Sequence, residues 1–327
     1  MVQQEHPAEG ARRAAAYAGV MCIHKFQVNA MNNNYFSTAS VFTDTANFRS
    51  ILENLPSDIE SICQFTQNLL IHAYWFERYG CDFDEATQFK EMQLRYISDI
   101  FERAESKGEK DLTSPRKAQN RIVSICRDFS LMLCSILRAK GIPARLRCGF
   151  ATYLRSNHFE DHWICEFWSE RKSKWVMADA QLDSLHRDTL KIDFDPCDFP
   201  QDKFILAGKA WEICRSDKEN PELFGINGFS GLAFIKGNVI RDLFALTKIE
   251  LLAWDTGWGI LQEYITPIAD ENELSLMDEL AVHSSLSDVP AANEAIESCK
   301  QITLPDDWGW FKSPSIKDLY SKHREYT

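Results

Sequence analysis

The chain has no CxxC pair among its ten cysteines, no apolar run long enough to cross a bilayer, no internal repeat and no glycine-rich phosphate fingerprint. Each absence removes a class of function. Without paired cysteine spacing there is no zinc-site signature, and at 327 residues a disulfide framework is not needed to hold a core together. Thiols kept reduced are the economical reading, so a cytoplasmic location is expected. Gly225, Gly228 and Gly231 are spaced too loosely to cradle a phosphate, and no cofactor is indicated. Positive charge is also short. The 36 Lys and Arg against 48 Asp and Glu leave a formal net charge of −12, which argues against nucleic acid or an anionic membrane as a partner.

What is present suits a globular fold. With 45% hydrophobic residues there is ample material for a core, in one large domain or a domain with appendages. The sequence divides into an N-terminal extension at 1–35, a domain at 36–300 and a surface tail at 301–327. In the extension, Arg12 and Arg13 precede an apolar run from Ala14 to Ile23, and Val28 to Ala30 has the small-residue look of a signal cleavage site. His24, Lys25 and Gln27 interrupt that pattern, and Met31 offers an alternative start, so an extension is preferred to an export signal.

The spacing predicts a helix from Ser57 to about Gly80, capped by Ser57 or Asp58. Its aromatic stripe, His72, Trp75 and Tyr79, reads as core before it reads as a cleft wall. A second, more charged helix is predicted from Asp84 to Lys107, exposing Lys90, Arg95, Glu102 and Arg103. Farther on come a short helix at 204–214, a loop-rich stretch through the glycines near 228, and a helix over 239–254 capped by Asn238. The last of these ends at a Trp254, Asp255, Trp258 cluster read as packing before substrate wall, and a final helix is predicted from Glu263 to His283.

The chemistry concentrates between Arg121 and Asp183. Apolar residues from Phe129 to Leu137 recur at helical spacing and Gly141–Pro143 stops the pattern, which puts Cys126 at a helix start. A thiol there lies at the positive end of the helix dipole, which favours thiolate. Residues 144–152 then read as a strand, and His162–Trp168 and Trp175–Asp179, separated by a charged turn, read as an antiparallel hairpin. Its two ends set His162 beside Asp179, and a helix packed on that sheet can bring Cys126 to the same imidazole. Asp183 competes with Asp179 for the orienting role. Gln119 and Asn120 are candidates for an oxyanion donor, although solvated loop residues are the plainer reading; the Cys126 backbone N–H is the expected first donor.

The run CRDFSLMLCSILRAKGIPARLRCGF, followed by DHW and WVMADAQLD, resembles the core of the transglutaminase-like superfamily of thiol enzymes. The matching positions include Leu137, Arg138, Ala139, Gly141, Ile142, Pro143, Ala144 and Arg145 in succession. The resemblance implies an α+β fold with a papain/transglutaminase-like core: an antiparallel sheet packed against the helix that carries the nucleophilic cysteine, with further helices flanking it. It implies Cys126 as nucleophile, His162 as general base and acid, and Asp179 as the residue orienting the imidazole. The expected chemistry is attack on an amide or acyl carbonyl, a thioester, and transfer of the acyl group to water or an amine. Peptides, proteins or small amides are the expected substrates, with an amine as a possible co-substrate. The alternative is a catalytically inactive member that uses the same fold for binding or assembly. Three filled reactive positions favour the enzyme.

Overall fold

The computed structural model describes residues 34–308, so most of the extension, with its signal-like run, and most of the tail lie outside the described residues. In chain order the elements are α1 (Arg49–Glu53), α2 (Ile59–Leu69), β1 (Leu70–His72), α3 (Glu85–Met92), α4 (Ile97–Ser106), β2 (Ile122–Ser124) and α5 (Cys126–Ala139). The sheet-forming half follows with β3 (Ala144–Ala151), β4 (Phe159–Ser169), β5 (Lys174–Ala178), α6 (Ser184–Leu190), β6 (Phe204–Leu206) and α7 (Ala207–Arg215). The chain closes with β7 (Phe224–Ile226), β8 (Phe229–Ser230), α8 (Leu232–Leu246), α9 (Glu271–Leu286) and α10 (Val289–Ser298). This is the α+β architecture expected from the sequence.

The central sheet runs β6-β3-β4-β7-β8, with β5 also paired to β4. Its ladders are antiparallel except between β4 and β7. One face carries Leu146, Trp163, Cys165 and Ala178 into a core shared with α5, α2 and α4. A second core gathers Phe150, near the end of β3, and Phe224 of β7 against α7, α8 and α9. Arg147, fully buried on β3, spans that second layer: its Nε and Nη2 donate to the two carboxylate oxygens of Asp242 at 2.9 and 2.7 Å, and its Nη1 donates to Glu166 at 3.2 Å. A buried guanidinium must be compensated in this way, because leaving it unpaired costs several kcal/mol, about 3–5.

The Leu-Arg-Ala-x-Gly-Ile-Pro-Ala-Arg run is the hinge between α5 and β3. Gly141 adopts φ +74°, the left-handed turn that ends the helix. Arg138 donates from Nε to the Ala144 carbonyl at 2.9 Å and from Nη1 to Glu250 at 2.8 Å, fixing the angle at which the helix returns as a strand.

Several elements differ from the sequence expectation. The helix read over Ser57–Gly80 ends at Leu69, because Leu70–His72 pair in parallel with Ile122–Ser124. Backbone pairing outweighs helical periodicity in that short apolar run. Asp58 is its cap, accepting from the Ser61 N–H at 2.8 Å. The 84–107 helix is two, broken at residues 93–96, and Arg95 is turned inward onto Asp255 at 2.5 Å instead of facing solvent. The stretch at 204–214 begins as strand β6, and 224–230 is a hairpin turning on Asn227 and Gly228, both at positive φ. The helix given to 239–254 spans Leu232–Leu246, so Asn238 lies inside it instead of capping it. The last predicted helix begins at Glu271, where Asp270 caps it. Of the segment read as a tail, residues 301–308 pack on the body: Ile302 is buried and its carbonyl accepts from Trp258 Nε1 at 2.9 Å.

Candidate active site

The site arises from a gap in the sheet. Along one edge of β4, β7 pairs with Phe159 and Glu160, and β5 pairs with Cys165–Ser169. Among the described residues no strand takes the positions between them. In an antiparallel ladder the N–H and C=O of alternate residues point to opposite edges. Trp168 donates its N–H toward the β3 side, to Pro143, so Trp163 presents both of its backbone groups to the gap. The first turn of α5 fills the vacancy. Ser130 Oγ donates to the Trp163 carbonyl at 2.9 Å, and the Trp163 N–H is directed at the Cys126 sulfur. Strand-edge groups that would otherwise lack partners therefore hold the nucleophile candidate in place.

Cys126 is the first residue of α5. The turn is closed by Asp128, whose carboxylate accepts the Ile125 N–H at 3.0 Å while the Asp128 N–H donates back to the Ile125 carbonyl at 2.9 Å. His162 comes from β4 opposite Gly149. A Cβ at Gly149 would stand 2.3 Å from the Ile205 carbonyl oxygen, so a larger residue there would push β6 off the strand behind the imidazole.

His162 is 1% exposed, and its Nε2 donates to Asp179 Oδ2 at 2.8 Å. That bond assigns Nδ1 to the sulfur, and the imidazole is close enough to hydrogen-bond the thiol. Asp179 lies just past β5. Its Oδ1 accepts the Gln181 N–H at 3.0 Å, and its own N–H donates to the Pro196 carbonyl at 2.8 Å. The structure thus brings Cys126, His162 and Asp179 into series. Gln119 lies elsewhere, donating to the Asp82 carbonyl at 2.8 Å, and Asp183 caps α6.

Burial would push the imidazole's pKa down, but the Asp179 carboxylate, with help from Cys126, outweighs it and raises His162 to about 10. Burial would raise Asp179, and the imidazolium holds it below the usual carboxylate range. For Cys126 burial is the largest influence and pushes the thiol up, against the pull of His162 and the Trp163 N–H; the nearby Asp161 carboxylate adds to the rise. The helix start alone favoured thiolate, and the packing around the partly buried Cys126 works against it.

A slot of about 50 Å³ opens at Cys126, walled by Tyr74, Ile226, Phe229, Trp254 and Tyr264, with Asp161 as its acidic group. His72 also lines it, whereas Trp75 covers His186 at 4.1 Å and Trp258 is buried away from it. A larger cleft of about 1010 Å³ adjoins Asp179, between α2 and the 182–197 segment, but neither Cys126 nor His162 lines it. Sequence reasoning missed Asp161, Tyr74 and Asn227. Asn238 Nδ2 holds Asp161 Oδ1 at 2.7 Å, and Asn227 Nδ2 donates to the Tyr74 hydroxyl at 3.0 Å. The DHW run carried a signal for the first, and the Asn227–Gly228 pair, a hairpin-turn signature, for the last. Among the described residues no group of three or more His, Cys, Asp or Glu could hold a metal ion, and no helix is long and apolar enough to cross a membrane.

Residues 84–180, which include all three side chains, match the model of the transglutaminase-like superfamily. No curated protein matches the chain. Among solved structures it is similar to one described as a "Putative Cysteine Protease from Cytophaga hutchinsonii", at 17% identity and a TM-score of 0.27, over 45% of this chain. The similarity covers 40% of that protein's length.

Proposed function

We propose that this protein is a thiol acyl-transfer enzyme that opens an amide or acyl carbonyl through a Cys126 thioester. The observation that carries the reading is the 2.8 Å bond from His162 Nε2 to Asp179, with the same imidazole standing beside the Cys126 thiol. In the reactive form Cys126 has given its proton to His162 Nδ1. The sulfur attacks the carbonyl carbon, and the resulting oxyanion is received by the Cys126 backbone N–H. The C–N bond then breaks as His162 returns its proton to the departing nitrogen, leaving the thioester and a free amine. A second nucleophile adds to the thioester, yields its proton to His162, and expels the thiolate.

The slot favours an amine over water as that second nucleophile. Its aromatic walls keep water sparse around the thioester, and aromatic faces beside the Asp161 carboxylate suit an ammonium group that deprotonates on entry. Peptides, proteins or small amides are the proposed acyl donors. Incubation with a peptide and small-amide library, with and without a primary amine, followed by mass spectrometry, tests this directly. Amine-dependent coupling products and a trapped acyl-Cys126 adduct are the expected result. Products confined to hydrolysis would move the protein to the peptidase or deamidase branch, and no adduct at Cys126 in any mixture would leave it a noncatalytic module.

A further inference from the structure

Asp179 serves two side-chain donors with one oxygen. Besides the imidazole, Oδ2 accepts the Tyr153 hydroxyl at 2.6 Å, while Oδ1 is taken by the Gln181 N–H. Rotating the carboxylate would break all three bonds. Tyr153 lies two residues past the end of β3, next to Thr152, whose N–H is anchored to the Lys203 carbonyl at 3.0 Å. Its ring is wedged between Phe194 and Phe199, with centroids at 5.2 and 6.2 Å, and stands edge-on to His162 at 6.0 Å and 86°. The phenol is therefore aimed by packing and does not simply follow the carboxylate.

We propose that Tyr153 is a positioning residue of this site, whose hydroxyl fixes the Asp179 carboxylate and, by sharing Oδ2, moderates its hold on the imidazolium of His162. The phenol keeps its proton because burial and the adjacent carboxylate both raise its pKa. A donor already bonded to Oδ2 draws density from the oxygen that His162 uses, which eases return of the imidazole proton to a leaving group. The inference deepens the proposed function, and its test needs no substrate.

The test is an NMR titration of the imidazole in the wild-type chain, Tyr153→Phe and Asp179→Asn, alongside the pH profile of Cys126 alkylation by iodoacetamide. Tyr153→Phe keeps the ring and its packing and removes only the hydroxyl. The expected result is a His162 midpoint raised by about half a pH unit, the scale of one hydrogen bond at a charged group, with Cys126 still alkylated as in the wild-type chain. A 3-fluorotyrosine at position 153, a stronger donor, should shift the midpoint down, and it serves where Tyr153→Phe does not fold. Unmoved midpoints in both, with Asp179→Asn still lowering that of His162, would overturn the role of Tyr153 and leave the Cys126–His162–Asp179 series intact. A midpoint insensitive to Asp179→Asn would sink that series itself.

Discussion

The molecule contains two Tyr-Asp-His clusters built from the same three side chains, Tyr153–Asp179–His162 and Tyr79–Asp183–His186. In the second, Asp183 Oδ1 accepts from the His186 ring Nδ1 at 2.8 Å and Oδ2 accepts the Tyr79 hydroxyl at 2.5 Å. Both imidazoles are about 1% exposed. They differ in what the rest of each group touches. Asp183 also caps α6 through the His186 N–H at 3.0 Å, and the Trp75 ring covers the imidazole at 4.1 Å. His162 instead turns its far nitrogen to a sulfur held in a sheet gap, beside an open slot. An oriented imidazole is thus not by itself a reaction centre. What sets one cluster apart is a thiol on its free side and an open slot beside it.

The comparison is broken most forcefully by removing the reacting groups. Cys126→Ala and His162→Ala should each lower turnover by about 10⁵-fold or more and Asp179→Ala by about 10⁴-fold, the pattern of a nucleophile–base pair with an orienting acid. Single-turnover acylation of a peptide amide measures this. If Asp179→Ala kept full turnover while Asp183→Ala lost it, the two clusters would exchange roles.

The pH profile should be displaced to the alkaline side. At pH 7 burial keeps the Cys126 thiol protonated and Asp179 keeps His162 protonated, so the pair carries one proton too many to react. Rising pH removes the first proton, and alkylation and acylation should increase by about tenfold per unit above neutrality. Acylation should fall again once His162 is lost as a proton donor, near 10, whereas alkylation, whose leaving group needs no proton, should level off. The stability linked to the His162–Asp179 contact is full below the ordinary imidazole pKa and declines as pH rises toward about 10, opposite to the rise in reactivity over that window. A maximum below pH 7 would contradict the protonated-thiol account.

A smaller effect isolates the slot. Asp161→Asn removes the carboxylate that helps hold the thiol protonated, yet can still hydrogen-bond Asn238. Alkylation of Cys126 at pH 8 should quicken by about threefold. Amine affinity, read from the acceptor KM, should weaken at the same time.

The smallest effect on reactivity is predicted at the second cluster. Asp183→Ala loses a helix cap and the acceptor of the His186 ring and the Tyr79 hydroxyl, and should cost about 2–4 kcal/mol in chemical denaturation, with Cys126 alkylation unchanged.

Much of the framework was legible because it rests on local rules. Gly141 and Pro143 end a periodic apolar run, Asp58 precedes one, and the charged turn at 169–174 separates two strand-like segments. These features act within a few residues of themselves. Leu70–His72 were read as helix because their pairing partner lies some fifty residues away, at Ile122–Ser124, and periodicity carries no trace of it. Asn238 was read as a cap from its place before an apolar run, but its side chain is spent on Asp161, across the second layer.

The amino-acid order determined by itself that a cysteine opens a helix, that a histidine and an aspartate lie on neighbouring strands, and that an arginine–glycine–proline hinge joins helix to sheet. Those are consequences of short-range sterics, capping and alternation. Only the tertiary structure decided that β5 and β7 leave an edge of β4 vacant, that α5 plugs it with Cys126 and Ser130, and that Tyr153 and His162 meet on one oxygen of Asp179. It decided the proton balance as well, since how far water is kept from a sulfur depends on every chain segment packed around it, and no local pattern records that sum.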